Sequence, residues 1–241
     1  MKKTNSIACI KIGPTNIFLL KSNNGYLLID TSYSNKYKEF LKKLKNLRIS
    51  VSEIKYCLLT HFHSDHVGFA RKLKEDSGCN FILHKNSVPF VENGGKGDLK
   101  LLKSGKVFTE TLFYLYMKIN HISQKYPPLG IGKNDTIIKE DDNETLRKIG
   151  IDGEILYTPG HTEGCISVLM DDGRIIAGDL VMNIGNTFHK DYRPIVAEDY
   201  NALYKSWNKI LKSGAQEIYP SHGKKLSAHE LEKQLELYSN S

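Results

Sequence analysis

Cysteine is scarce in this chain. Cys9, Cys57, Cys79 and Cys165 are its only four in 241 residues; they form no C-x-x-C pair and lie too far apart to suggest a disulfide framework. That usage reads as a reduced, intracellular protein. Arginine is scarce as well. Only Arg48, Arg71, Arg147, Arg174 and Arg193 stand among the 34 cationic residues, and they are scattered. Readers of nucleic-acid bases and phosphates favour the bidentate guanidinium, so the net charge of +7 reads as a lysine-rich solvated surface, not a nucleic-acid footprint. No apolar run approaches the roughly 18 residues of a spanning helix, which argues against a membrane protein. The start Met1-Lys2-Lys3 resembles the n-region of a signal peptide, but Lys11, Gly13, Asn16 and Lys21 interrupt anything that could follow as an apolar stretch. A cytoplasmic location is the expectation. Internal repeats and low-complexity tracts are missing too.

What is present is ordinary globular material: 40% hydrophobic and 25% charged residues, at a length suited to one domain with an elaboration. Ile7 to Ile12, Ile17 to Leu20 and Tyr26 to Asp30 read as strands separated by Gly13-Pro14 and Asn23-Asn24-Gly25 turns, hence antiparallel hairpins. Tyr37 to Leu47 carries Phe40, Leu41, Leu44 and Leu47 at helical spacing. Ile54 to Leu59 predicts a buried strand, Val67 to Leu73 a helix and Phe81 to Leu83 a further strand. Strand signals return at Thr136 to Ile138, Glu154 to Tyr157, Ile166 to Met170, Arg174 to Ala177 and Gln216 to Tyr219. Tyr200 to Leu211 is helical, and Ser227-Ala228-His229-Glu230 is a capping box that opens a terminal helix. Strands and helices alternating in two successive halves predict a layered α/β or α+β sandwich. Residues 85 to 132 differ in character, being loosened by glycines and then rich in aromatics. They read as a partly helical insertion laid over one edge of the core.

One string decides the chemistry. His61-x-His63-x-Asp65-His66 follows a predicted strand directly, and imidazole with carboxylate is the donor set that zinc takes when thiolates are absent; related first-row metals accept it too. His61 and His63, two residues apart on extended chain, project to one side, while Asp65 and His66 begin a helix and approach from another angle. Two groups of ligands aimed at neighbouring points can hold two metals. His161 in Thr158-Pro159-Gly160-His161-Thr162, Asp179 in Ala177-Gly178-Asp179-Leu180 and His222 in Pro220-Ser221-His222-Gly223 each follow a predicted strand and look like the remainder of the site. His84, His121 and His229 fit no ligand pattern.

These motifs, in this order, resemble the metallo-β-lactamase superfamily, specifically its glyoxalase II-like hydrolases, over nearly the whole chain apart from about residues 85 to 132. The resemblance implies a four-layer αββα sandwich of two mixed sheets with helices outside, the 85–132 insertion serving as a lid. It implies that His61, His63 and His161 bind one metal, that Asp65, His66 and His222 bind a second, and that Asp179 bridges them. Two divalent ions, two carboxylates and a bridging hydroxide leave the site with a charge of about +1, suited to metal-assisted hydrolysis through an anionic intermediate. Asp65 is then the residue that orients the nucleophile and accepts its proton. Zinc is the expected metal, with iron and manganese as alternatives. The expected partner is a small-molecule substrate, with neither nucleic acid nor membrane; a homodimer is compatible with the sequence.

Departures from the family narrow the reading. The best-known β-lactamase subclass carries a cysteine where this chain has Asp179, so a true β-lactamase is not expected. The flavin-linked diiron branch has glutamate at the place of His63. Glyoxalase II enzymes resemble this chain in their metal motifs but add a helical glutathione-gripping domain, whereas only 19 residues follow His222 here. The insertion would replace that domain as pocket wall, with Phe113, Tyr114, Tyr116 and Tyr126 as lid aromatics or, equally, as core. His189, Tyr192 and Arg193, after the bridging aspartate, are candidates to bind a substrate anion or a developing oxyanion, or are ordinary loop residues. Cys165 reads as a small buried residue rather than a catalytic thiol. Hydrolysis of a thioester, ester or lactone leads. The rivals are a phosphodiesterase or nuclease of the same superfamily, a mononuclear-iron sulfur dioxygenase and a metal-stabilised binding protein.

Overall fold

Nearly every strand of this protein is apolar on both faces, and the two faces belong to different cores. In β2 (Thr15–Ser22), Ile17 and Leu19 enter one apolar cluster while Phe18 and Leu20 enter another; in β5 (Asn80–His84), Phe81 and Leu83 are divided from Ile82 in the same way. A strand buried on both faces must be covered on both, which requires layers above and below it. In the second half of the chain the alternation recurs. Ile166, Val168 and Met170 of β9 (Ile166–Met170) share the cluster of Phe18 and Leu20, while Leu169 joins a third cluster around Trp207.

The computed structural model describes residues 6–95, 102–103, 111, 115, 118–119, 123–184 and 191–239. Its three clusters are the three interfaces of a four-layer sandwich. The first lies between β1 (Ile7–Ile12) to β5 and the helices Tyr37–Asn46 and Ala70–Ser77; the second lies between the two halves of the sheet; the third lies between the later strands and the helices Tyr200–Lys212 and Ala228–Ser239.

Connectivity follows from the linkers. Short turns make β1, β2 and β3 (Gly25–Ile29) an antiparallel meander, as the hairpin signals predict. Helical crossovers then make β3, β4 (Ile54–Leu58) and β5 parallel, and β7 (Thr136–Ile138) adds parallel to β5. In the second half, β8 (Gly153–Tyr157), β9 and β10 (Arg174–Asn183) are antiparallel neighbours, and β12 (Glu217–Gly223) returns parallel to β10 after the Tyr200–Lys212 helix. Two short strands complete the half: β11 (Val196–Ala197), which pairs with β6 (Leu102–Lys103), and β13 (Leu226–Ser227), which pairs with β12. The halves join where β12 meets β2, at the single pair His222↔Thr15. The sheet therefore curls back at the residue the sequence nominates as its last metal ligand.

Two expectations need correction. The Val67–Leu73 helix is two helices, Ser64–Val67 and Ala70–Ser77, interrupted at Phe69, whose N–H leaves the helical ladder and donates to the Ser32 carbonyl at 3.1 Å. Asp179 and His222 do not follow strands but lie inside them, since β10 runs on to Asn183 and β12 to Gly223. The two strands slip register between Gly178 and Met182, and that irregularity re-aims the side chains at the site. The terminal helix opens as the capping box predicts, with Ser227 N donating to Glu230 Oε2 and Glu230 N donating to Ser227 Oγ.

Candidate metal centre

All seven nominated ligands converge at one end of the sandwich. The loop after β4 carries His61 and His63, the first turn of the next helix carries Asp65 and His66, the loop after β8 carries His161, and the bulged ends of β10 and β12 carry Asp179 and His222. Gly178 makes the β10 bend feasible. Its φ is +58°, and a Cβ there would meet Thr60 Oγ1 at 2.8 Å, so any other residue would push Asp179 off the site.

Three donor groups can each enclose a cation: His61 with His63 and His161, Asp65 with His66 and His222, and His61 with His66 and Asp179, the ligand atoms in each lying within 4.8 Å of one another. In the first, His63 Nδ1 stands 3.1 Å from His61 Nε2 and 2.9 Å from His161 Nε2. In the second, His222 Nε2 stands 3.1 Å and His66 Nε2 3.7 Å from Asp65 Oδ2. Asp179 lies between the groups. Its Oδ1 is 3.4 Å from both His66 Nε2 and His222 Nε2, and its Oδ2 is 3.6 Å from His161 Nε2.

The hydrogen bonds behind the rings show that these atoms suit cations. His161 Nδ1 faces the Val196 carbonyl at 2.8 Å and His222 Nδ1 faces the Pro14 carbonyl at 3.1 Å, so each Nδ1 carries the proton. His66 Nδ1 donates to Asp30 Oδ2 at 2.8 Å. Thr60 Oγ1 donates to Asp30, so it accepts from His61 Nδ1 at 3.1 Å. With Nδ1 carrying a proton, each of these rings turns Nε2 inward, toward other imidazole nitrogens and two carboxylates. Buried acceptors facing acceptors are repulsive unless positive charge sits among them. His66 Nε2 and Asp179 Oδ1 are buried without any hydrogen-bond partner, the condition that a bound metal relieves.

Asp30 is the functional residue that the motifs do not reveal. It is fully buried, it sits at φ +61°, and it accepts from Thr60 N at 2.7 Å, Thr60 Oγ1 at 2.7 Å, His66 Nδ1 and Ser221 Oγ at 3.4 Å. It fixes the tautomer of His66 directly and that of His61 through Thr60. The available signal is position. A carboxylate closing the apolar strand Leu27-Leu28-Ile29 has only the interior to face.

Charge separates the two triads. Burial, reinforced by the neighbouring imidazoles, holds His61 well below the ordinary histidine range and His63 down to about 3, and burial likewise lowers His161. For His66 and His222 burial also disfavours the charged form, but Asp179 and Asp65 outweigh it and raise both. Protons therefore compete for the second triad and not for the first. Cation affinity of the second triad is expected to rise as pH increases through and above the ordinary histidine range, because each binding event must displace protons held above the usual value, while that of the first stays nearly flat there. Calorimetric titration with zinc at several pH values measures this.

The remaining nominated residues are placed elsewhere. Tyr126 is buried in the first core, and its hydroxyl donates to the Phe62 carbonyl at 2.6 Å. Tyr192 is 2% exposed in the third core with its hydroxyl on Glu230, and Arg193 pairs with Asp191 and lies over the Tyr238 ring at 4.6 Å. Both side chains lie against the helical layer, Tyr192 inside the third core and Arg193 over Tyr238. His189, Phe113, Tyr114 and Tyr116 lie outside the described residues. Cys165 is buried, as the sequence suggests, and burial pushes its thiol up to about 12. Of the four thiols only Cys9 is exposed, so brief alkylation of the folded protein at about pH 8 is expected to label Cys9 and spare Cys165. Peptide mass mapping reads the outcome.

Fold and site together define an αββα sandwich protein with a histidine and aspartate cluster at the strand ends, able to hold metal. The profile of the metallo-beta-lactamase superfamily matches residues 10–222, and the chain belongs to that superfamily. Among curated proteins it is similar to a beta-lactamase-like protein 2 homolog of Caenorhabditis elegans, 26% identical over 211 residues, 87% of this chain and 56% of the relative. It is also similar to a hydroxyacylglutathione hydrolase of Pelagibacter ubique, 25% identical over 194 residues, 77% of this chain and 62% of the relative. The chain thus spans a little over half the length of the curated relatives it matches. Among solved structures, a metallo-beta-lactamase family protein from Thermus thermophilus superposes with a TM-score of 0.67 at 18% identity, covering 98% of this chain and 79% of that one. Among the described residues no helix is long and apolar enough to cross a membrane.

Proposed function

We propose that the protein is a binuclear metal-dependent hydrolase acting on a small thioester, ester or lactone. The observation that carries this reading is the position of Asp179, one oxygen toward His66 and His222 and the other toward His161. A purely structural site has no use for a carboxylate shared between two donor groups. His61, His63 and His161 would hold one ion, Asp65, His66 and His222 the other, with Asp179 common to both. Zinc suits this donor set, and iron or manganese would also be accepted.

Divalent ions bound there would polarise a substrate carbonyl and make water acidic enough to attack at neutral pH. The protein's own groups set the rest. Five neutral imidazoles and two carboxylates leave such a site with an excess of positive charge, which favours a substrate that becomes anionic as it reacts. Asp65 stays ionised, because His66 and His222 outweigh the effect of its burial. Its carboxylate can orient the attacking water and accept its proton. Aspartate at position 179 and similarity to a hydroxyacylglutathione hydrolase favour thioester-type substrates over β-lactams.

Metal analysis coupled to a panel of thioester, lactone and phosphodiester substrates tests the reading. Two metals per chain with thioester or lactone turnover support it; a single iron with oxygen consumption overturns it. In Asp65→Asn loaded to full metal content, kcat is expected to fall about a hundredfold. Unchanged turnover would remove Asp65 from proton transfer.

A further inference from the structure

The first triad is fastened from behind by the insertion. Where the insertion begins, the Asn86 amide donates to the Glu163 carbonyl at 3.4 Å and Ser87 Oγ donates to the Gly164 carbonyl at 3.2 Å. Both acceptors belong to the loop that carries His161. The approach is close, since a Cβ on Gly164 would stand 2.3 Å from Ser87 Oγ. A few residues on, the Phe90 ring stacks on Phe62, with centroids 4.1 Å apart and planes 12° apart, and Phe62 is the residue between His61 and His63. Where the insertion returns, the buried Tyr126 hydroxyl donates to the carbonyl of that same Phe62. A fourth stitch lies between these: β6 pairs with β11 in the register Lys103↔Val196, and Val196 supplies the carbonyl that fixes His161 Nδ1.

The histidines of the second triad are fastened by other parts of the chain, although the insertion also reaches the helix of Asp65 and His66 through Ser64 Oγ, which donates to Gln124 Oε1 at 3.4 Å. His66 is anchored on Asp30 from the end of β3, and His222 on Pro14 from the β1–β2 turn. Neither anchor belongs to the insertion.

We propose that the described parts of the insertion, residues 85–95, 102–103 and 123–132, brace the His61–His63–His161 subsite and set its metal affinity more strongly than that of the Asp65–His66–His222 subsite, with Tyr126 as the principal positioning residue. This rests on the two-triad reading of the centre. The physical reason is preorganisation. Three imidazoles bind tightly only if their lone pairs already converge, and all three hang from irregular loops that no strand ladder holds. The Tyr126 hydroxyl restrains the backbone between His61 and His63, and Ser87 restrains the loop of His161.

Cobalt(II) titration of the metal-free protein, followed by its visible absorbance, tests the proposal in two backgrounds. His222→Ala isolates the first subsite and His63→Ala the second. Tyr126→Phe is expected to weaken cobalt binding by about tenfold or more in the His222→Ala background and by less than about twofold in the His63→Ala background. Ser87→Ala, which leaves the Phe62 carbonyl satisfied, is expected to repeat the pattern and guards against a folding defect in the tyrosine variant. Equal losses in both backgrounds, or no loss at the first subsite, overturn the brace while leaving the two-metal reading intact. A parent protein that binds no cobalt overturns both.

Discussion

On the proposed two-metal reading, Asp179→Asn is expected to lower kcat/KM on the order of a thousandfold and to leave one tightly held metal in place of two. The substitution preserves shape and removes one charge. In the parent, the two carboxylate oxygens face different triads, at 3.4 Å from His66 and His222 and at 3.6 Å from His161. An asparagine can present an oxygen to only one of them and must turn an amide N–H₂ toward the other, where a donor meets a cation. The loss of negative charge adds repulsion between two divalent ions a few ångströms apart, undiminished by solvent at a residue 3% exposed. Metal content by mass spectrometry and steady-state kinetics give the readout. Two metals retained at parental affinity would remove Asp179 from the bridging position.

A conservative change at His222 should behave differently. It touches only the second triad, and it lies at the one pair, His222↔Thr15, that joins the two halves of the sheet. Loss of its imidazole is therefore expected to affect the second metal alone while leaving the first triad competent. The contrast separates a bridge from a terminal ligand.

The fold is legible in the sequence wherever local pattern and tertiary role coincide. Thr136–Ile138 and Ile166–Met170 occur with the boundaries their apolar runs suggest, and the Ser227 capping box starts the last helix where its hydroxyl and Glu230 demand. Boundaries fail at the site. The β10 and β12 strands continue past Ala177 and Tyr219 into Gly178-Asp179 and Ser221-His222, residues that read as turn and loop because glycine and polar side chains weaken any strand signal. There the sheet is completed by long-range pairing between β10 and β12, with a slip in register, and no window of local sequence contains that information.

The metal ligands are legible because their chemistry is local: a short string of imidazoles and carboxylates has few other uses. What surrounds them is not. Tyr192 and Arg193 stand close to Asp179 in sequence and are reasonable candidates to touch a substrate, but Tyr192 packs into the third core and Arg193 lies over the Tyr238 ring of the terminal helix. Tyr126 reads equally as lid or as core; it packs in the first core, and its hydroxyl reaches the Phe62 carbonyl, a contact across 64 residues that composition cannot disclose. Supporting residues are chosen by the geometry of the folded chain, so they emerge only when the chain is seen folded.

Asp30→Ala is expected to be the most destabilising single change near the site, costing about 3–5 kcal/mol in the metal-free protein. The carboxylate is fully buried and accepts from four donors: Thr60 N, Thr60 Oγ1, His66 Nδ1 and Ser221 Oγ. Removing it leaves those donors facing a void, and alanine at φ +61° adds the steric penalty that aspartate and asparagine partly avoid. For a domain of this size the loss corresponds to a fall in Tm of roughly 6–20 °C. Asp30→Asn should recover the backbone term only, because its amide N–H₂ must point at a donor. It is therefore expected to melt between the parent and the alanine variant. Metal binding separates packing from positioning. With His66 free to change tautomer, affinity at the second triad is expected to drop about 10- to 100-fold, and the first triad, reached only through Thr60, to lose less. Calorimetric melting with and without zinc measures both effects. A Tm within about 2 °C of the parent would mean that the four donors find other partners, and Asp30 would lose its place as the anchor of the site.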